Sequence, residues 1–170
     1  MDSLTLLLQV HVGLSLVGIA SGLVVLYGLL TGSPFPGWTA LFLATTILTS
    51  VTGFMFPSTA ITPGQIFGVI SLIMLVIALV ALYVFRLFGP WRWIYVVTAL
   101  MALYLNCFVA VVQSFQKLPF LQPLAPTQSE PPFAVAQFIV LALFIGVGIM
   151  AARRFRPDAP PISASAAPAR

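Results

Sequence analysis

The sequence predicts an all-α membrane protein, a polytopic bundle of five transmembrane helices. Three observations predict it: an apolar composition, five long apolar segments separated by turn residues, and a one-sided distribution of arginine. Of the 170 residues, 61% are hydrophobic and 6% are charged, and the mean hydropathy is +1.13. Soluble domains carry roughly 25% charged residues because water must wet their surface. The composition therefore excludes a water-soluble monomer and an intrinsically disordered chain.

The ionisable residues are too few for several other classes of protein. The isoelectric point of about 9.9 comes from seven basic residues against three acidic ones, and no basic stripe with interleaved aromatic residues indicates nucleic-acid binding. One histidine, one cysteine (Cys107) and three acids exclude a His/Cys zinc cluster and a bis-histidine haem. They also leave too few groups for a catalytic triad. We expect no metal, no cofactor and no enzymatic motif.

A helix that crosses the hydrocarbon core of a bilayer, about 30 Å thick, needs about 20 apolar residues. Five segments meet this requirement or nearly so, at about 3–31, 38–56, 63–87, 91–116 and 133–152. Proline and glycine separate them, and the connection 117–132 alone contains five prolines. The first segment is too long for a signal peptide and no basic residue precedes it. Residues 1–156 thus form the predicted transmembrane domain, and the Ala/Pro/Ser-rich residues 157–170 a disordered cytoplasmic tail.

The arginines predict the orientation, because basic residues stay on the cytoplasmic side. With five spans, six arginines share one side of the membrane, and only Lys117 and the amino terminus lie on the other. We therefore expect the amino terminus outside and the carboxyl terminus inside. Tyrosine and tryptophan residues map to the same cytoplasmic ends, as an interfacial belt does; they are Tyr27, Trp38, Tyr83, Trp91, Trp93 and Tyr95.

Polar residues within the spans are concentrated in the predicted outer half of the membrane. Counting depth at about 1.5 Å per residue places every amide side chain and the only histidine there. We expect these residues to line an outward-facing vestibule with the connection 117–132 as its lid. The candidate lining residues are His11, Asn106, Gln113, Gln65, Gln137 and Thr49. For His11 the alternatives are a structural hydrogen bond to Asn106 or to a carbonyl, proton handling, and metal or haem ligation.

Two GxxxG patterns predict close helix packing, because glycine lets two backbones approach. They are formed by Gly18 and Gly22 in the first segment and by Gly64 and Gly68 in the third. In the second segment, threonine and serine cover about half of the helix circumference, so we place it centrally in the bundle. The glycine faces are also where a homo-oligomer or a partner in a membrane complex would dock.

Three short stretches resemble small polytopic membrane proteins of proteobacteria. They are QVHVG (Gln9–Gly13), GIASG (Gly18–Gly22) and APTQSEPP (Ala125–Pro132). The resemblance extends over about half of the chain and implies a multi-pass protein of the bacterial inner membrane. It adds no catalytic residue.

Three functions remain open from the sequence. The first is a non-enzymatic membrane protein that binds or translocates a small solute through its vestibule. The second is an accessory or assembly subunit of a larger respiratory or transport complex, without a site of its own. The third is a redox or proton-handling membrane protein that uses His11. The lipid bilayer is the one partner common to all three.

Overall fold

The computed structural model describes residues 2–156, which form an antiparallel helical bundle without strands. The five α-helices are α1 (Ser3–Thr31), α2 (Pro36–Gly53), α3 (Pro63–Leu79), α4 (Trp91–Lys117) and α5 (Pro131–Arg154). A π-helical turn, Val80–Val84, continues α3, and a short 3-10 helix, Gln122–Leu124, lies in the last connection. The predicted disordered tail, 157–170, lies outside the described residues.

Four of these helices are long and apolar enough to cross a membrane: α1, α3 with its π-helical turn, α4 and α5. The chain is accordingly a helical membrane protein. Helix α2 does not belong to this set, because its many hydroxyl side chains make it less apolar than the others. It begins two residues before the predicted segment and ends at Gly53 rather than at residue 56. The number of spans therefore rests on how α2 is placed in the bundle.

Local sequence signals determine where the helices begin and end. Helix α1 ends where Gly32 adopts a left-handed conformation (φ 73°), which glycine enters without steric cost. Helix α3 begins with a capping box, in which Thr62 and Gln65 satisfy each other's backbone N–H groups. Helices α2, α3 and α5 carry proline in the first turn, where its missing N–H does no harm.

Helix α1 packs against α2 along the full length of α2. Contacts join Gly28 to the Phe35 side chain just before α2 begins, Gly22 to Phe42 in its middle and His11 to Thr52 at its end. Helix α4 also runs antiparallel to α1, and α5 runs antiparallel to α4. In the α4–α5 pair, Arg92 at the start of α4 donates to the carbonyl groups of Ala152 and Phe155 at the end of α5.

The fully packed core lies toward one end of the bundle, which we call the turn end. The α1–α2 turn, the α3–α4 turn and the carboxyl end of α5 meet there, around a small cavity of about 160 Å³. Tyr95, predicted to belong to an interfacial belt, is only 2% exposed, because it packs against Phe155 within this core. Residues exposed by 2% or less in the core include Phe42, Leu43, Leu75, Ala78, Val96, Ala99, Leu103 and Phe155.

The GxxxG pattern of α1 makes close contacts within the chain. A Cβ atom at Gly22 would lie 2.5 Å from the Leu103 side chain, and one at Gly18 would lie 3.1 Å from the Asn106 amide nitrogen. The face that carries Gly18 and Gly22 is therefore covered by α2 and α4 of the same chain. In α3, Gly68 approaches Phe54, the residue that follows α2, whereas Gly64 has only Thr62 within 4 Å.

Candidate ligand cavity

A cavity of about 520 Å³ lies between α1, α2, α3 and α4, at the end of the bundle opposite the turn end. Its volume is within the range of about 300–1,000 Å³ that is common for small-molecule sites. Five of the six candidate residues line it, each contributed by one of the four helices: His11, Thr49, Gln65, Asn106 and Gln113. The sixth, Gln137, does not.

Asn106 forms the floor of the cavity together with Ser15 and Thr46. The Ser15 hydroxyl donates to the Asn106 carboxamide oxygen at 3.0 Å, which joins α1 to α4. The Asn106 amide nitrogen and the Thr46 hydroxyl have no hydrogen-bond partner within residues 2–156 and less than 1 Å² of exposed surface. Both groups lie against Gly18, so its missing side chain is what lets the three helices converge at this level.

The cavity ends at this floor. The next layer toward the turn end is built from Gly22, Phe42 and Leu103, which contact one another, and the two side chains are 1% exposed each. Leu75 of α3 completes this layer with no exposed surface. The packed layer separates the cavity from the turn end, so the described residues form a pocket that is closed on one side.

His11 lies on the cavity wall and contacts α2. Its Nδ1 atom is 2.9 Å from the Thr52 hydroxyl oxygen, and this hydroxyl is also 2.8 Å from the carbonyl oxygen of Leu48. The imidazole lies close to the Thr49 backbone as well, and it packs edge-on against Phe56 at 5.3 Å between centroids.

This geometry decides between the structural partners considered for His11. The hydrogen bond to Asn106 that the sequence suggested is not formed, because Asn106 bonds to Ser15 one turn farther down α1. The actual partner, Thr52, belongs to α2. Ser15, Thr46 and Thr52 are the site residues that sequence reasoning did not select. The signal for Ser15 was its position four residues after His11, on the same helix face.

Apart from Thr46, the hydroxyl groups of α2 near the cavity are satisfied by their own helix. Thr45, Thr49 and Ser50 each donate to the carbonyl oxygen four residues earlier, which is the usual arrangement for hydroxyl side chains in membrane helices. Thr49 thus contributes an already bonded hydroxyl to the cavity wall. The polar sequence of α2 lowers its hydropathy without creating a polar path through the bundle.

The two glutamines at the rim differ in what they can offer a ligand. The Gln65 side chain is already hydrogen-bonded to nearby residues: it completes the capping box with Thr62 and donates to the Ser58 hydroxyl. Gln113 is exposed and has no hydrogen bond within the described residues. Lys117, three turns above Asn106 on α4, also lines the cavity and is exposed.

Gln137 has a separate role between α4 and α5. Its side-chain nitrogen donates to the Phe108 carbonyl oxygen at 3.2 Å, and its side-chain oxygen is buried without a partner among the described residues. The sequence placed Gln137 at the correct depth, but α5 lies on the far side of α4. Depth follows from counting residues, whereas the direction in which a side chain faces depends on the neighbouring helices.

The connection 117–132, predicted to be a lid, contributes only Lys117 and Leu118 to the cavity lining. The Gln128 side chain attaches it to α4 by donating to the Val112 carbonyl oxygen. Before α5, the Glu130 carboxylate accepts hydrogen bonds from Thr127 and Ser129. Desolvation raises the pKa of Glu130, but the hydrogen bonds together outweigh it and hold the pKa below its ordinary value.

Comparison with known proteins adds no relative to this description. No protein-family model matches the sequence, and neither the curated proteins nor the solved structures include a significant match.

Proposed function

We propose that this chain is a five-span protein of a bacterial inner membrane, which binds a small molecule in a pocket that faces the outside. The placement of α2 supports the fifth span. Helix α2 lies beside α1 from the contact of Gly28 with Phe35 to the contact of His11 with Thr52, so the two helices occupy the same depth. Its 18 residues extend about 27 Å, close to the thickness of the hydrocarbon core.

The distribution of charge supports the orientation. Arg86, Arg92, Arg153 and Arg154 lie at or near the turn end, in the α3–α4 turn and at the adjoining helix ends. At the opposite end, the only basic side chain within the described residues is Lys117. The positive-inside rule places the arginine-rich end in the cytoplasm. The cavity, at the other end, then faces the outside.

A topology measurement tests both statements. Reporter fusions after Pro36, Thr62, Pro90 and Gln128 should alternate between cytoplasmic and external, and those after Thr62 and Gln128 should be external. If α2 does not cross the membrane, the fusions after Pro36 and Thr62 report the same side. A cytoplasmic Gln128 fusion contradicts the orientation even if the number of spans is correct.

The observation that carries the binding function is a 520 Å³ cavity with a closed floor. A pathway for transport would need a polar route or a broken helix near the middle of the membrane. Here the layer below Asn106 is apolar and packed, and the Thr45, Thr49 and Ser50 hydroxyls of α2 are bonded to their own backbone. Binding from the outer side is therefore the activity that this geometry supports best.

Thiol labelling tests whether the cavity is open to water. In a Cys107→Ala background, Ala110→Cys and Gln113→Cys on the cavity wall should react with a membrane-impermeant maleimide added from outside. Phe138→Cys is the matched control, since Phe138 is 70% exposed on the opposite side of α4 and faces lipid in this orientation. Thiols in hydrocarbon do not ionise and react slowly. Unreactive thiols at both 110 and 113 would contradict an open cavity.

A further inference from the structure

The ionisable side chains that line the cavity are all basic. The lining contains one ammonium group, Lys117, and one imidazole, His11, but no carboxylate. Within residues 2–156 the only acidic side chains are Asp2 and Glu130; neither lines the cavity, and Glu130 is engaged with Thr127 and Ser129. A ligand that enters the cavity therefore meets a positive charge that no acidic side chain among residues 2–156 balances at the cavity wall.

The polar side chains of the cavity that make no hydrogen bond within the described residues also favour one type of ligand head group. Lys117 and the Gln113 amide are donors, and neither is hydrogen-bonded within the described residues. Both suit a carboxylate, which accepts hydrogen bonds and carries the charge opposite to that of Lys117. An ammonium head group would face Lys117 and find no negative partner.

Most of the cavity wall is apolar. Val12 and Leu16 of α1, Phe67 of α3 and Val109 of α4 line it between the rim and the floor. The two unpartnered polar groups of the floor are covered and leave this surface largely hydrocarbon. Asn106 and Lys117 are eleven residues apart on α4, a rise of about 16 Å, so the cavity is deep enough for an extended chain below the rim.

We infer that the cavity binds an amphipathic carboxylate, with its carboxyl group near Lys117 and Gln113 and its hydrocarbon chain against the apolar wall. This inference rests on the proposed binding function and adds the chemical class of the ligand.

Protection of a cavity thiol by three probes of equal chain length tests this inference. The Ala110→Cys variant, in a Cys107→Ala background and in nanodiscs of zwitterionic phosphatidylcholine, is labelled with the maleimide at increasing concentrations of dodecanoate, dodecanol or dodecyltrimethylammonium. Dodecanoate should protect with an apparent Kd about tenfold lower than dodecanol, equivalent to about 1.4 kcal/mol. Dodecyltrimethylammonium should protect least. The labelling of Phe138→Cys should not respond to any of them.

Lys117 provides the matched variants. Lys117→Gln should remove the preference for dodecanoate over dodecanol, and Lys117→Arg should retain it. Lys117 is exposed and makes no hydrogen bond in the described chain, so both variants should fold. Equal protection by all three probes, or an unchanged preference in Lys117→Gln, would overturn the inference while the binding function stands. Protection by anionic phosphatidylglycerol without added dodecanoate would assign the site to a membrane lipid and also overturn it.

The same experiment separates this inference from the function on which it rests. If Ala110→Cys does not react in the absence of any probe, the cavity is closed and the proposed function fails. If Ala110→Cys reacts but dodecanoate gives no protection, only the assignment of the ligand fails.

Discussion

Replacement of Gly22 by leucine is expected to abolish the folded bundle. A Cβ atom at this position would lie 2.5 Å from the Cδ1 atom of Leu103 and 3.0 Å from the ring of Phe42. Both side chains are 1% exposed and belong to the packed layer beneath the cavity, so neither has room to move away. Extra methylene groups in a packed core cost about 1–3 kcal/mol or more, and leucine adds a complete side chain at a helix crossing.

The expected result is loss of the monodisperse protein on size exclusion in mild detergent, or a large fall in its unfolding temperature. Gly13→Leu is the matched control on the same helix, since nothing lies within 4 Å of a Cβ atom there. Gly22→Ala combined with Leu103→Ala should lose less stability than the sum of the two single losses, because Leu103→Ala removes the atom closest to the new Cβ. A Gly22→Leu variant as stable as the parent would mean that α1 does not pack against α2 and α4 in this way.

Much of the fold could be predicted because its main signals are local. The apolar segments and their Pro/Gly boundaries gave the helices, and α1 has the predicted bounds, Ser3–Thr31. The positions of His11, Asn106 and Gln113 along their helices also placed them at one end of the bundle, where all three line the same cavity. Each of these predictions requires only the rise per residue and the helical repeat.

The rest depends on contacts between helices, which helical periodicity does not specify. The sequence put Gln137 at the right depth but could not reveal that α5 lies behind α4, where Gln137 bonds to Phe108. It likewise could not choose Thr52 as the partner of His11, since that choice depends on how α1 and α2 are rotated about their axes. Gln65 lines the cavity, but its position along the helix does not reveal that its side chain also completes the capping box of α3.

A charged side chain at the floor of the cavity should destabilise the protein much more than a neutral side chain of the same shape. Asn106→Asp preserves the shape of the residue, and the remaining carboxyl oxygen still accepts from Ser15. Asn106 is only 8% exposed, however, and its environment contains hydroxyls but no cation to balance a carboxylate. At pH 7 we expect this variant to lose about 2.5–3.5 kcal/mol, the cost measured for a charged residue near the centre of a membrane helix.

Gln113→Glu is the matched substitution at the rim, two turns above Asn106 on the same helix. It makes the same amide-to-carboxylate change at an exposed position, where water and the nearby Lys117 receive the charge. Its effect on stability should stay within about 0.5 kcal/mol, as measured for both variants by unfolding in mixed micelles. If Asn106→Asp and Gln113→Glu lose equally little stability, water reaches Asn106 and the floor of the cavity is open. Gln113→Glu should also weaken the binding of dodecanoate, because a negative charge beside Lys117 cancels the attraction that selects a carboxylate.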